Sequence, residues 1–471
     1  MSHRKKINPV DRSSVPSVKA IIKPVYPRRP SLRDVRLTAM LLSGFLALLS
    51  AGKPNSAAAQ QAPAPAATGV ISTEATSETL AEEVRPYELL QSRFTRRTSV
   101  PPTQVGAVAF QVNAVADLGF NDNLFGQDTN VKSAFFADYG AHLDGDYHYD
   151  GFRAHLALGG QERHYFTVTN EDYWQATSRL ELSEQFSHDF GVFLDGGLER
   201  LAVPRTDPNE INGFKPATYL LYDAETGTQI GDGAHNLLTV TAGYNQSIYD
   251  QSFGSQGLII TNDRDRREFF GDVRFDHTFF GQQKVFIEVR PDGRSFGRDI
   301  DTSGFKRASN GVRTDAGVQF DINNLFLITL SSGYQVQSYA DPRYGQINVP
   351  DVNAEVLWSP TNLTQVDVKY VHEYYEDLFI ESPGYTHNMT TVTLSHELLR
   401  ELLLKADVSY DDRQLERSVR HYDILTSEVR ADYEIKHGLT VGIDYTNQKL
   451  DSNTARTFVD NIVMMTLKKQ F

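Results

Sequence analysis

From Val105 to the end of this 471-residue chain, segments of 10 to 16 residues alternate apolar and polar side chains. In residues 439–446, apolar residues occupy every odd position, and polar residues or glycine occupy every even one. Residues 402–411 and 272–279 follow the same period. A period of two indicates β-strands with one apolar and one polar face, and no helical period competes with it.

Short and long connections between these segments alternate along the chain. A transmembrane β-barrel has this pattern, because its periplasmic turns are short and its outer loops are long. A soluble sandwich or propeller has no reason to keep the two classes in strict alternation. The short connections are 147–150, 279–283, 322–324, 358–363, 397–401 and 435–438. The long connections are 121–132, 201–216, 250–264, 296–306, 340–347, 377–384, 411–418 and 451–454.

Parity constrains the strand count, because a barrel with both chain ends in the periplasm needs an even number of strands. Roughly 17 segments are clear between Phe110 and Phe471. We therefore add a strand at 217–226, followed by a short turn near 231–235. The sequence predicts an all-β, antiparallel, up-and-down transmembrane barrel over residues 105–471, with about 18 strands and with about 16 as the next count.

The last strand carries a separate signal. Met465, Leu467 and Phe471 share one face, and polar Thr466 and Lys468 lie between them. Outer-membrane barrels end in this way, because the last strand closes the barrel and the barrel-assembly machinery reads its terminal aromatic residue. We expect Met465, Leu467 and Phe471 to act as an assembly signal on a strand that faces lipid.

The first 104 residues are predicted to lie outside the barrel. Residues 1–59 resemble a cleaved signal peptide with a long basic lead, an apolar stretch at 37–51 and small residues at the cleavage site. The stretch is shorter than the roughly 18 to 20 residues that span a bilayer, but a single-pass anchor stays open. Residues 60–104 are predicted to be a flexible periplasmic segment. Within it, residues 78–95 are either a short helix, which lies at the periplasmic mouth or forms a small plug in the lumen, or a disordered tether.

Composition excludes several classes of function. The chain has no cysteine, which rules out disulfides, thiolate catalysis and thiolate metal sites. Its 60 acidic residues exceed its 46 basic ones, and nucleic-acid binding favours the reverse. Its 22 tyrosines and 27 phenylalanines suit the aromatic girdles of a barrel.

Three phrases carry a resemblance to a known family. They are Asp-Leu-Gly-Phe-Asn-Asp-Asn-Leu-Phe at 117–125, Trp-Ser-Pro-Thr at 358–361 and Thr-Leu-Ser-His-Glu-Leu-Leu-Arg at 393–400. Together they resemble the outer-membrane β-barrel porins of alphaproteobacteria known as the beta-barrel porin 2 family, over residues 105–471. The resemblance implies the outer membrane of a Gram-negative bacterium and a pore or export role. Some members are linked to exopolysaccharide gene clusters, so a polysaccharide duct is one implied role. The resemblance brings no catalytic residues.

Residues 121–123, Asn-Asp-Asn, have two readings. An Asx-type turn that opens the first outer loop is the structural reading, and a calcium or ligand site is the functional one.

If the apolar face of each strand meets lipid, the polar face lines the lumen. Both charge signs are interspersed there, which predicts passage of broadly polar or neutral cargo, including sugars that stack on Tyr339, Tyr374 and Tyr375 near the outer rim. The alternative for each charge is a solvated wall residue without a substrate role. The predicted pore-lining residues are Glu268, Asp272, Arg274, Asp276, Glu288, Arg290, Asp367, Lys369, Glu373, Lys405, Asp407 and Asp444.

No catalytic constellation stands out. Ser395 and His396 are neighbours on a strand and point to opposite faces, so they cannot form a triad. We predict no enzyme, no cofactor and no metal, and a porin-like barrel that passes small polar solutes or an exopolysaccharide. A closed structural or adhesion barrel, and less so a lipid-modifying enzyme, stay as alternatives. The expected partners are outer-membrane lipid and the assembly machinery. The sequence leaves the oligomeric state open.

Overall fold

The computed structural model of this chain describes residues 89–471, apart from 212, 282, 377–381 and 454–455. The predicted signal peptide at 1–59 and the first part of the predicted segment 60–104 lie outside the described residues. No helix in the described part of the chain combines the length and the apolar character needed to cross a membrane.

The described residues form one short α-helix and a series of strands that begins at residue 103. The short elements are α1 Leu90–Thr98, β1 Thr103–Val105, β9 Ser252–Gly254 and β10 Gly257–Ile259. The long strands are β2 Val108–Asn121, β3 Ala134–Tyr149, β4 Phe152–Tyr165, β5 Tyr173–Ser187, β6 Phe190–Ala202, β7 Thr218–Ile230, β8 Asn236–Tyr249, β11 Arg266–Phe280, β12 Gln283–Phe296, β13 Ser309–Ile322, β14 Phe326–Tyr339, β15 Gln346–Thr361, β16 Thr364–Glu376, β17 Gly384–Leu399, β18 Leu402–Leu415, β19 His421–Lys436, β20 Leu439–Ser452 and β21 Phe458–Gln470.

The long strands close into an antiparallel barrel. Each pairs with the next long strand along the chain, and β8 pairs with β11 across the β9–β10 hairpin. The last strand, β21, pairs with the first, β2, from Asn113 opposite Gln470 to Asn121 opposite Ile462. The long strands β2–β8 and β11–β21 number 18, which confirms the predicted count. The strand predicted at 217–226 is β7, and residues 231–235 connect it to β8.

The connections alternate in length as the sequence predicts. At the edge where β2 begins and β21 ends, the turn between β13 and β14 has Asn323 and Asn324 at φ 56° and 53°. Leu325 N donates to Ile322 O at 3.0 Å and closes this type I′ hairpin turn. Asparagine tolerates positive φ, and this turn matches the twist of the strands it joins. The long connections lie at the opposite edge, which we call the outer mouth.

The outer surface of the barrel is an apolar band. Leu330, Ile443 and Leu467 are among its exposed side chains, at 43%, 54% and 48% of their full areas. Aromatic residues border the band on both sides. Phe326 stacks on Trp358 at 5.9 Å near the turns. Tyr244 contacts Phe269 at 4.6 Å in the outer half. A band of this kind, with aromatic borders, is what a lipid bilayer requires of a barrel.

Candidate solute pathway

The predicted pore-lining residues all lie on the inner face, because they alternate with the exposed apolar residues of the band. One group is brought together on β11 and β12, and the others lie apart from it on later strands. The first group is Glu268, Asp272, Arg274, Asp276, Glu288 and Arg290. The others are Asp367, Lys369 and Glu373 on β16, Lys405 and Asp407 on β18, and Asp444 on β20.

The charges on β11–β13 pair with one another along the wall. Arg274 contacts Asp276 at 2.9 Å and Glu288 at 3.2 Å. Arg313 on β13 reaches the other oxygen of Glu288 at 3.3 Å. Arg290 differs from them, since it has no carboxylate oxygen within ion-pair distance among the described residues and lies on an aromatic ring. This wall therefore carries both signs, in a network in which Arg274 and Arg313 each contact more than one carboxylate.

A three-layer stack of glycine, phenylalanine and arginine recurs on the inner face. The ring of Phe270 lies over Gly243 of the neighbouring strand, and the guanidinium of Arg290 lies 3.7 Å above the ring centre. The ring would be only 2.1 Å from a Cβ at Gly243. The lack of a side chain on the glycine lets the ring lie flat, and the arginine covers its polarisable face. The same stack is formed by Gly317, Phe286 and Arg274 and by Gly119, Phe136 and Arg163.

An acidic wall on β5–β7 escaped the sequence analysis. Arg179 is the one inward arginine or lysine in these strands, which the structure describes completely. It contacts Asp195, and lies 3.5 Å from both Glu181 and Asp223. Glu199 and Glu225 point inward beside them, since Glu199 shares the inner face with Asp195, and Glu225 lies directly opposite Asp195. The period of two along β6 and β7 was the signal that could have found these residues.

At the outer mouth, the end of β16 leaves β15 and crosses the lumen. The pairing of β15 with β16 ends at Val352 and His372. Beyond this point, Glu376 contacts Arg266 of β11 at 3.1 Å and Arg294 of β12 at 3.7 Å. Because β11 and β12 lie several strands away around the barrel, these contacts bring the end of β16 over the lumen.

Tyr339 and Tyr374, two of the three tyrosines predicted to stack on sugars, are buried. The hydroxyl groups of Tyr339 and Tyr374 lie 2.5 Å apart, and both side chains are buried. They pack with Tyr344 and with apolar residues of β15. Tyr375 stacks on Tyr385 at 5.9 Å. The expectation of sugar-stacking by Tyr339 and Tyr374 is wrong, because the inward turn of β16 uses these rings as packing.

A second outer segment between β6 and β7, called the segment 203–217 and described at 203–211 and 213–217, also spans the mouth. Arg205 is buried in it and contacts Glu210 and, at 2.6 Å, Glu171 of the β4–β5 connection. On the far side, Arg456 donates to the backbone oxygens of Arg205 and Asp207 at 2.7 and 2.9 Å. Burial raises the pKa of Glu210 to about 7, although Arg205 opposes this shift. The outer mouth is therefore narrowed from two sides.

At the periplasmic edge, α1 runs along the inside of the rim. Leu90 and Phe94 pack on Leu403, an inward residue of β18. Arg97 contacts Glu397 at 3.0 Å. Gly438 N donates to Thr98 O at 3.0 Å. The helix follows β16–β20 along one side of the opening, and β1 then pairs with β2. Residues 90–105 are thus ordered against the barrel, as a strap along the rim.

Residues 121–123 form the Asx turn. Asn123 N donates to Asn121 Oδ1 at 2.7 Å. Both carboxylate oxygens of Asp122 accept hydrogen bonds from Asn461, at 2.8 and 2.7 Å. The oxygens that a calcium ion would need are therefore used by protein donors, which favours the structural reading.

One group among the described residues has the spacing of a metal site: Asp412, His421 and Asp423, on the outward side near the outer mouth. His421 contacts Asp423 at 3.0 Å and Asp412 at 3.4 Å, one through each ring nitrogen. These contacts account for the group without a metal.

The predicted assembly residues all point outward. Met465 and Leu467 belong to the apolar band, and Phe471 follows β21 with 58% of its area exposed. Phe471 N donates to Val112 O at 2.8 Å across the junction of the last and first strands. Their role in assembly stays a prediction.

The described barrel coincides with the extent of a known family. The family model described as Putative beta-barrel porin 2 matches residues 103–471. This chain belongs to the beta-barrel porin 2 family. It is a porin-like outer-membrane β-barrel, and its family is one of channels. Among curated proteins, none matches it.

Solved structures similar to this beta-barrel porin 2 chain include proteins of two bacteria, among them the outer membrane protein OpdK. OpdK of Pseudomonas aeruginosa is 9% identical, with 77% of this chain and 99% of OpdK covered and a TM-score of 0.42. OpdL of the same organism is 11% identical, with 78% and 100% covered and a TM-score of 0.44. OccAB4 of Acinetobacter baumannii is 11% identical, with 79% and 99% covered and a TM-score of 0.44.

Proposed function

We propose that this protein gives small polar solutes passive passage across the outer membrane of a Gram-negative bacterium. The observation that carries the proposal is the division of each strand into two faces. The outward face is apolar and the inward face is charged and polar along the length of the barrel. Charged side chains on the inner face require water, and a water-filled lumen is a path for polar solutes.

The outer mouth favours small solutes over a polymer. Glu376 and the segment 203–217 cross it from two sides. The buried rings of Tyr339 and Tyr374 offer no platform to a passing sugar chain. Export of an exopolysaccharide, a role that the family resemblance implies, is therefore the second candidate. It would require both mouth segments to move.

The absence of cysteine from the sequence allows a direct test of the inner face as the conducting path. Val240 and Thr241 are neighbours on β8, and their side chains point to the band and to the lumen respectively. We would make Thr241→Cys and the matched control Val240→Cys, refold each barrel, and record single-channel currents in planar bilayers. A bulky, charged, water-soluble thiol reagent should reduce the current through T241C and leave that through V240C unchanged.

Two results would contradict the proposal. Folded barrels without any conductance would identify a closed barrel that acts through its outer loops. Equal sensitivity of both cysteine variants to the reagent would show that the current does not follow the inner face. Blockade of the current by long neutral oligosaccharides, together with faster uptake of these than of monosaccharides into vesicles, would favour the polymer duct.

A further inference from the structure

Strand β15 has a free edge in its outer half. On one side it pairs with β14 as far out as Gln346, which lies opposite Ser338. On the other side, its pairing with β16 ends at Val352 opposite His372. Among the described strands, none replaces β16 beside residues 346–351. An unpaired strand edge presents backbone groups that attract another strand, so natural sheets protect such edges.

Two hydrogen bonds fix the direction in which each residue of β15 points its backbone groups. At one end of the β14–β15 pair, Tyr339 N donates to Gly345 O at 2.9 Å, and at the other end Ser359 N donates to Leu325 O at 2.8 Å. In an antiparallel ladder, alternate residues bond to the same neighbour. The odd-numbered residues of β15 therefore bond to β14, and the even-numbered residues face β16.

The first even-numbered residue beyond the paired section is Pro350. Proline has no N–H, so it cannot donate the next hydrogen bond of the ladder to β16. Farther out, the carbonyl of Gln346 accepts from Arg417 at 3.4 Å, which covers another backbone group of the edge. Proline and charged side chains are common means of edge protection. The sequence therefore stops the β15–β16 ladder at Val352.

The outer end of β16, residues 373–376, is held in the lumen instead. The carboxylate of Glu376 contacts Arg266 and Arg294, and it accepts a hydrogen bond from the hydroxyl of Tyr339 at 3.2 Å. The Glu376 side chain is only 1% exposed. A buried carboxylate with cationic and hydroxyl partners fixes the position of the chain that carries it, because leaving these partners would leave buried charges uncompensated.

We propose that the outer end of β16 is a movable constriction with two positions, and that Pro350 biases it toward the lumen. In the inserted position it narrows the outer mouth. In the paired position, residues 373–376 would continue the ladder beside β15 and widen the mouth. The paired position lacks one hydrogen bond because of Pro350, and Glu376 stabilises the inserted one. This inference rests on the proposed function and adds a gate to the solute pathway.

Removal of both biases tests the proposal. One added hydrogen bond is weaker than a buried charge contact, so Pro350→Thr alone should leave the conductance unchanged. Glu376→Gln removes the charge that the two arginines hold. On this background, Pro350→Thr should shift the ratio of time at a high conductance level to time at the low level by about fivefold, the effect of one hydrogen bond. Single-channel recordings on the refolded mature chain measure this ratio.

The matched control is Pro291→Thr on β12. Pro291 lies on the outward face, as Pro350 does. In contrast to the outer half of β15, β12 has strands on both sides, and Val312 of β13 lies opposite Pro291. On the Glu376→Gln background, this change restores an N–H without altering β15. The ratio should therefore stay at its value in E376Q.

A disulfide reads the paired position without any current. If the register of Val352 and His372 continued outward, Val349 would lie opposite Tyr375. They would form a non-hydrogen-bonded pair with Cα atoms about 4.5 Å apart, within reach of a disulfide. Val349→Cys/Tyr375→Cys should oxidise in the P350T/E376Q background and stay reduced in the otherwise unmodified chain. Mass spectrometry of the digested barrel measures the oxidation.

The outcomes separate the two proposals. Folded barrels that carry no current, but whose cysteine pair oxidises only in P350T/E376Q, would overturn the proposed function and support the movable end. A ratio that does not differ between E376Q and P350T/E376Q, or that changes equally with Pro291→Thr, would overturn the role of Pro350. A cysteine pair that oxidises equally in both backgrounds, or in neither, would overturn the existence of two positions.

Discussion

At the scale of single residues, the inner wall depends on charges that are buried in pairs. Arg163 of β4 binds Asp138 of β3 through two hydrogen bonds of 2.7 and 2.6 Å. The Asp138 side chain is fully buried. The guanidinium also lies 4.1 Å from the ring centre of Phe136. Such a pair fixes side-chain positions, but removal of one partner leaves an uncompensated buried charge.

Asp138→Ala should therefore destabilise the barrel by about 3 to 5 kcal/mol. Urea unfolding of the barrel refolded into lipid vesicles measures this. The control is Lys449→Ala, because Lys449 pairs with Asp451 where both side chains are nearly half exposed, and exposed pairs contribute less than about 1 kcal/mol. Equal losses in both variants would show that burial of the Asp138 pair has no special weight.

The glycine beneath each inward phenylalanine sets where the ring lies. Gly243→Ala places a Cβ into the ring of Phe270 and should tilt Phe270 and Arg290 into the lumen. We expect lower single-channel conductance and a stability loss of about 1 to 3 kcal/mol from overpacking. Gly271→Ala is the control, since a Cβ there meets only atoms at 3.8 Å or beyond. Unchanged conductance in G243A would mean that the ring does not border the conducting path.

At the scale of elements, we expect the segment 203–217 to couple the outer mouth to pH. Burial raises the pKa of Glu210 to about 7, so the docked segment binds this proton more tightly than an undocked one. The docked state is then favoured at low pH, and it loses stability as pH rises from the ordinary carboxyl range to about 7. Glu171 and Arg205 contact this site directly, and Asp207 and Arg456 lie beside it.

The conductance should therefore rise between about pH 4.5 and 7 as the segment loosens. Glu210→Gln keeps the group neutral and should reduce this change, as single-channel recordings across the range would show; burial also raises the pKa of Asp207 in the same segment, so part of the change should remain. Asp128→Asn, in another outer loop, serves as the control and should retain the change. A pH profile that is identical in E210Q and the unmodified protein would contradict the assignment to Glu210.

At the scale of the whole molecule, the barrel meets two solvents, with lipid on its outer face and water on its inner face. Leu330 and Ser331 are neighbours on β14 that face the lipid band and the lumen. Leu330→Arg should cost about 2 to 4 kcal/mol in lipid. Ser331→Arg should cost much less, because its side chain enters water. Similar losses in urea unfolding in vesicles would contradict the assignment of faces.

The repeated period and the two lengths of connection were enough to predict the barrel, its strand number and its inner face. The requirement for an even number of strands also identified β7, whose own alternation of apolar and polar residues is weak. The outer mouth was not predictable in this way. Contacts such as Glu376 with Arg266 join residues more than a hundred positions apart, and local periodicity carries no information about them. Because the end of β16 turns inward, Tyr374 is buried as packing, whereas the sequence predicted that it would stack on sugars. The same period of two could also have identified the acidic wall of β5–β7, which the sequence analysis did not include.

The pairing of β21 with β2 also bears on quality control in the cell. Ring closure joins the two long strands that lie farthest apart along the chain, so a chain that stops before β21 cannot complete it. A truncated chain presents two unpaired strand edges, at β2 and at its last strand, and such edges invite non-native pairing. We therefore expect unfinished chains to differ from finished ones by free strand edges, which periplasmic chaperones and proteases could recognise.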